Sequence, residues 1–170
     1  MKGNSPLFNN RPRYASGDIY FKSGDVTFFK YISRRKDVDS KGVLDIVAHG
    51  ATNGIQIMHN GKEIMIDSRM LSKIIKKNPQ YKRVGVRLLS CNTGSSTNGF
   101  AQNLANKLGV PVTAPNKLLW SDAYGNTSVA ARSKTNPSYP SKNDVGYFVT
   151  FYPGGNKKWN SNVIYVKMKW

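Results

Sequence analysis

Apolar positions between residues 43 and 114 follow two periods. The run VLDIVAHG, residues 43–50, is short and continuous, as in a strand covered on both faces. In GIQIMHNGKEIMI, Ile55 and Ile57 precede Asn60-Gly61 while Ile64 and Ile66 follow it, and this alternation predicts a hairpin with a two-residue turn. Leu71, Ile74 and Ile75 then share a helical face opposite Arg69, Lys73, Lys76 and Lys77. Asp67 or Ser68 caps that helix, which runs to about Asn78, and Pro79 helps end it. RVGVRLLS reads as a second central strand. In TNGFAQNLANKLG a second helix begins around Thr97 or Asn98, repeats Phe100, Leu104 and Leu108, and stops at Gly109; VPVTAP supplies a third strand. The order strand, hairpin, helix, strand, helix, strand predicts an α/β fold: a mostly parallel central sheet flanked by helices, with antiparallel strands and hairpins at its edges.

Outside this core, residues 1–17 read as an extension. Ile19–Lys22 and Val26–Ile32, around Ser23-Gly24-Asp25, favour a hairpin of two aromatic and β-branched strands, followed by the charged loop SRRKDVDSKG. Residues 121–144 are polar and turn-rich and read as a mobile loop. VGYFVTFYPGG and NVIYVKMKW supply two late strands. The 170 residues suit a single domain, with residues 43–120 as its core.

Charge adds a second theme. Lys and Arg number 26 against 9 Asp and Glu, a net charge of +17, which points to an acidic partner such as nucleic acid, an anionic surface, a polyphosphate or an acidic protein. Arg34, Arg35 and Lys36, with Lys157, Lys158, Lys167 and Lys169, are candidates for a basic patch; Lys73, Lys76 and Lys77 read as an ordinary solvated helix face. The aromatics interleaved with these charges read as strand packing. A single cysteine excludes an intramolecular disulfide, and no Cys/His spacing suits a metal site. No segment reaches the ~18 apolar residues of a membrane span, and no apolar signal run follows the N-terminus, so any export is expected to use a route outside this sequence, for example as the detached end of a larger exported protein.

The candidate chemistry lies at the strand ends. His49 closes one predicted central strand and Cys91 the next, which brings both to the carboxyl edge of the sheet, where reactive groups of open parallel sheets collect. There His49 can take the thiol proton and later protonate a leaving amine, with Gly50 and Cys91 N–H groups as oxyanion donors. A histidine neighbour and the start of the following helix are expected to lower the thiol's pKa. The competing interpretation is a packed cysteine and a turn histidine. His59 reads as a solvated turn residue, and Asp45 lies too deep on its strand to serve as a third member.

VLDIVAHG, then LLSCNTG with its cysteine 42 residues after His49, then FAQNLANKLGVPVTAP, resembles caspase-like (clan CD) cysteine peptidases, of CHAT-type or bacterial polymorphic-toxin type. The resemblance implies a secreted or delivered thiol protease, a toxin or effector of bacterial competition, with His49 and Cys91 as catalytic dyad and a protein substrate or self-cleavage. It also implies a pocket for the residue before the cleaved bond, for which Trp120 and Asp122 are the candidate walls. An acidic immunity protein is an implied partner. No cofactor is required, although inositol polyphosphate activation occurs among distant relatives. The alternative is a basic module targeting nucleic acid in which Cys91 and His49 are structural; it has few carboxylates and no metal-ligand cluster for nuclease chemistry.

Overall fold

The computed structural model describes residues 9–10, 18–38, 42–79, 81–155 and 157–158. In chain order these form β1 (Asn9–Asn10), β2 (Asp18–Phe21), α1 (Val26–Ile32), β3 (Leu44–Ala48), β4 (Gly50–Ala51), β5 (Gly54–His59), β6 (Lys62–Ile66) and α2 (Ser68–Lys77). There follow β7 (Val86–Leu89), α3 (Phe100–Leu108), β8 (Val112–Pro115), β9 (Leu118–Ser121), β10 (Thr127–Arg132), β11 (Pro140–Val145), β12 (Phe148–Phe151) and β13 (Lys157–Lys158).

The central sheet has the order β1-β2-β3-β7-β8-β12-β13. Its middle strands β2, β3, β7 and β8 run parallel, while β1, β12 and β13 join antiparallel, so the sheet is mixed. Strands β4, β5 and β6 form a second sheet and β9, β10 and β11 a third. Only three helices accompany these strands among the described residues.

Both helices read from the sequence form. Asp67 caps α2 by accepting from Met70 N–H at 2.8 Å, and Leu71, Ile74 and Ile75 are buried. Phe100, Leu104 and Leu108 bury the inner side of α3, and Gly109, at φ +70°, ends it in the left-handed conformation that suits glycine. The two helices pack on the sheet face that carries Ile46, Ala48 and Leu88, where the larger apolar core lies.

Two expectations are corrected. Val26–Ile32 is a helix, not the second strand of a hairpin: Asp25 accepts from Thr27 N–H at 2.7 Å as its cap, and Phe29 and Ile32, three apart, turn to the core. Residues 121–144, expected to be a mobile loop, hold β10 and most of β11. Val129, opposite Leu119 in the pairing of β10 with β9, is buried with it in the smaller core on the other sheet face, beside α1. Lys157 and Lys158 fall in β13; the last expected strand, NVIYVKMKW at residues 162–170, lies with Lys167 and Lys169 outside the described residues.

Candidate active site

The parallel register decides what His49 and Cys91 share. Asp45 stands opposite Arg87 and Val47 opposite Leu89 on adjacent strands; His49 follows β3 directly, and Cys91 follows β7 by two residues. Side chains alternate along a strand, which puts Asp45, Val47, Arg87 and Leu89 on one face; Cys91 packs against the cluster of Val47, Leu89 and Phe29, and His49 packs on Phe28 and Phe29. That face carries two rows, ionic and apolar. The ionic and apolar rows are set by the one-for-one pairing of β2, β3 and β7, and the reactive residues follow where those strands end.

The ionic row is fully inside. Arg35 has no exposed side-chain surface and donates to Asp45 at 2.7 and 3.2 Å, to Asp18 at 3.1 Å and to the Tyr20 hydroxyl at 2.8 Å. Arg87 donates to Asp45 at 2.8 Å from each of Nε and Nη2 and pairs with Asp37 at 2.9 Å. Burial alone would lower the pKa of Arg87, yet hydrogen bonding and attraction from Asp45, then from Asp37, raise it further above its usual value. Asp45 is thereby neutralised two residues below the apolar row, which removes it as a partner for His49. The same geometry removes Arg35 from any surface patch. Arg34 is also engaged, donating to the Ala123 carbonyl at 2.7 Å.

His49 is held by aromatic packing. Its ring centroid lies 5.5 Å from that of Phe28 and 5.2 Å edge-on from that of Phe29, both supplied by α1. The His49 carbonyl accepts from Gln56 N–H at 2.8 Å, which ties the strand end to β5. Nε2 is buried without a hydrogen-bond partner among the described residues. Close by is a carboxylate that sequence reasoning missed. The point where a Cβ on Gly24 would stand is 3.4 Å from Glu63 Oε1 and 4.0 Å from His49 Cδ2, so the acid and the imidazole flank the same glycine. Gln56 Nε2 donates to Glu63 at 2.6 Å. The available signal was the hairpin register, which sets β6 beside the strand that grips His49.

Gly50 is required by close approach. A Cβ there would lie 2.7 Å from the Cys91 carbonyl oxygen and 2.7 Å from Ser90 Cβ. Gly50 faces Ile55 across the β4–β5 pair, and the bond from Gln56 N–H to His49 carbonyl flanks it. It is therefore a non-hydrogen-bonded pair, whose N–H points away from β5. The residue after Cys91, Asn92, adopts φ +59°, a left-handed conformation uncommon outside glycine. Asn92 N–H donates to the Lys117 carbonyl at 2.9 Å, bracing that turn.

Cys91 itself is half-buried and free. Leu119 N–H donates to Sγ at 3.3 Å, and the Leu119 carbonyl lies 3.8 Å from the sulfur. Burial pushes the thiol's pKa up, and the Leu119 and Cys91 N–H groups and the charge of Arg132 only partly oppose it. The expectation of a lowered thiol pKa is thus reversed, because β9 covers the sulfur and the helix after it begins nine residues later at Phe100.

Trp120 and Asp122 are on the same hairpin with different surroundings. Trp120 alternates with the inward Leu119, donates from Nε1 to the Ala130 carbonyl at 3.0 Å and carries the Arg132 guanidinium 5.7 Å from its ring. Asp122 accepts from Tyr124 N–H and Asn126 N–H at 2.9 Å and from Asn126 Nδ2 at 2.8 Å, closing the β9–β10 turn. Its slight burial would raise its pKa, but these donors, led by Asn126, hold it below the usual carboxylate range. His59 is exposed in the β5–β6 turn beside Asn60.

The fold and site together define an α/β domain with a cysteine and a histidine at the carboxyl edge of a mixed sheet. A family described as Domain of unknown function (DUF8616) matches residues 18–129, from β2 into β10, and the chain belongs to it. No curated protein and no solved structure matches the chain.

Proposed function

We propose that this domain is a caspase-like cysteine endopeptidase working through a Cys91–His49 dyad, delivered as a toxin or effector. The observation that carries the reading is that His49 and Cys91 follow the ends of two adjacent parallel strands, with His49 packed on Phe29 and Cys91 against the apolar cluster that includes Phe29. The thiol proton passes to His49 as Sγ leaves Leu119 and attacks the substrate carbonyl. The Gly50 and Cys91 N–H groups receive the oxyanion; the imidazolium returns the proton to the leaving amine, and water then cleaves the thioester. We assign to Glu63, which flanks Gly24 together with His49, the role of steadying the imidazolium.

Expression in bacterial cytosol of wild type, Cys91→Ala and His49→Ala tests this, with cleavage of cellular proteins and growth as readouts. Loss of both in the two variants is expected; equal activity in all three overturns the dyad. A second reading rests on the sulfur's hydrogen bond to Leu119 and its raised pKa, which are what a packed structural thiol shows. In that case the two residues support the fold, and the protein acts through its basic surface.

A further inference from the structure

We propose that the edge of the molecule opposite Cys91 is a docking surface for the phosphate backbone of a nucleic acid. The starting observation is in the sequence. None of the chain's nine carboxylates lies between Asp67 and Asp122, whereas lysines and arginines recur throughout that stretch. Two of those cations are paired with outside carboxylates, Arg87 with Asp37 and Asp45 and Lys117 with Asp144. The others form no ion pair among the described residues.

Topology gathers five of these cations, none in an ion pair among the described residues, at one place. α2 and α3 each lead into the start of a parallel strand, β7 and β8, so their last turns lie at the amino edge of the sheet. Lys76 and Lys77 occupy the last turn of α2 and Lys107 that of α3. Lys82 and Arg83 lie in the connection into β7. All five are exposed. Helix dipoles favour a cation at each helix end, but they do not explain Lys82 and Arg83 or the missing carboxylates. Arg83 also holds φ +56°, a strained conformation for an exposed arginine. Asp37, a carboxylate near this edge, is already held by Arg87.

The surroundings select the occupant. A membrane surface would call for apolar side chains beside the charge, yet the apolar face of α2 is spent on the core through Leu71, Ile74 and Ile75. A protein interface would call for an uncharged, aromatic-rich centre, and Tyr81, in the same connection, is instead packed against the core. Spaced lysines without such a centre suit a linear polyanion contacted through its phosphates and not its bases.

The test uses the full chain with a fluorescein-labelled 20-base-pair DNA duplex, read by anisotropy from about 50 to 200 mM salt. Binding at low salt is expected, with a log–log salt slope of about −4 to −5 for five phosphate contacts. The triple variant Lys76→Gln, Lys77→Gln, Lys107→Gln is expected to lose at least tenfold in affinity and to flatten the slope by about 3. A control of equal charge, Lys22→Gln, Lys30→Gln, Lys134→Gln, is expected to change affinity less than threefold; circular dichroism confirms that both variants fold. The proposal is overturned by absence of binding at low salt, or by equal losses in both triple variants. It is overturned equally if phosphatidylserine vesicles or polyglutamate, at matched charge, bind as tightly as the duplex with the same dependence on the three lysines. Cys91→Ala is expected to bind as wild type, which separates this surface from the dyad.

Discussion

At Cys91 burial and hydrogen bonding oppose each other, and burial wins. Native protein is therefore expected to react with iodoacetamide more slowly at pH 7 than urea-unfolded protein, and to accelerate only as pH passes above the free thiol range; equal rates at pH 7 would refute this. Because the folded pKa is the higher one, the fold favours the thiol. That contribution is complete below the unfolded pKa and is lost as pH rises through the folded one, so wild type should lose stability relative to Cys91→Ala in alkali. Removing the positive charge in Arg132→Ala should shift the alkylation profile further upward. In the ionic row, Arg35→Met leaves Asp18 and Asp45 buried beside too few cations. Loss of about 3–5 kcal/mol is expected from urea unfolding, and a loss below about 1 kcal/mol would show that the row is relaxed or hydrated.

Among the elements, α1 is the one that composition disguises. VTFFKYI is rich in residues that favour strands, whereas the helical signals are positional: a capping Asp25 and the three-residue spacing of Phe29 and Ile32. Asp25→Ala should cost about 1 kcal/mol by loss of the cap, measured in thermal or urea unfolding, with no change expected if the helix is held by packing alone. The β5–β6 hairpin, α2, α3 and the parallel strands β3, β7 and β8 were legible because each is specified within its own stretch of chain, whereas β2, expected in a hairpin, joins the parallel strands. The ends of β3 and β7 were legible as well, and with them His49 and Cys91. What surrounds those residues was not legible: Phe28 and Phe29 arrive from α1, Glu63 from β6 and Leu119 from β9, through contacts between segments far apart in sequence. Strands β10 and β11 escaped notice for a related reason. Their polar residues carry no long apolar period, and Val129 gains its place by pairing with Leu119.

For the whole molecule, a net charge of +17, with few ion pairs among the described residues, predicts self-repulsion that salt relieves. The melting temperature should rise between about 10 mM and 150 mM sodium chloride; a flat or falling response would mean that the pairs within the ionic row dominate the electrostatics. The β9–β10 turn links this global balance to the sulfur. Its Gly125 sits so close to α1 that a Cβ would come within 2.3 Å of the Arg34 carbonyl carbon, and Arg34 in turn grips the Ala123 carbonyl. The same β9 supplies the backbone that covers Cys91. Gly125→Ala should therefore pry the hairpin from the helix and speed Cys91 alkylation while α2, α3 and their core stay folded. The thiol would then work as a tension gauge: its reaction rate would record how firmly a distant turn is bolted down, and anything that tugs on that turn would be felt at the sulfur.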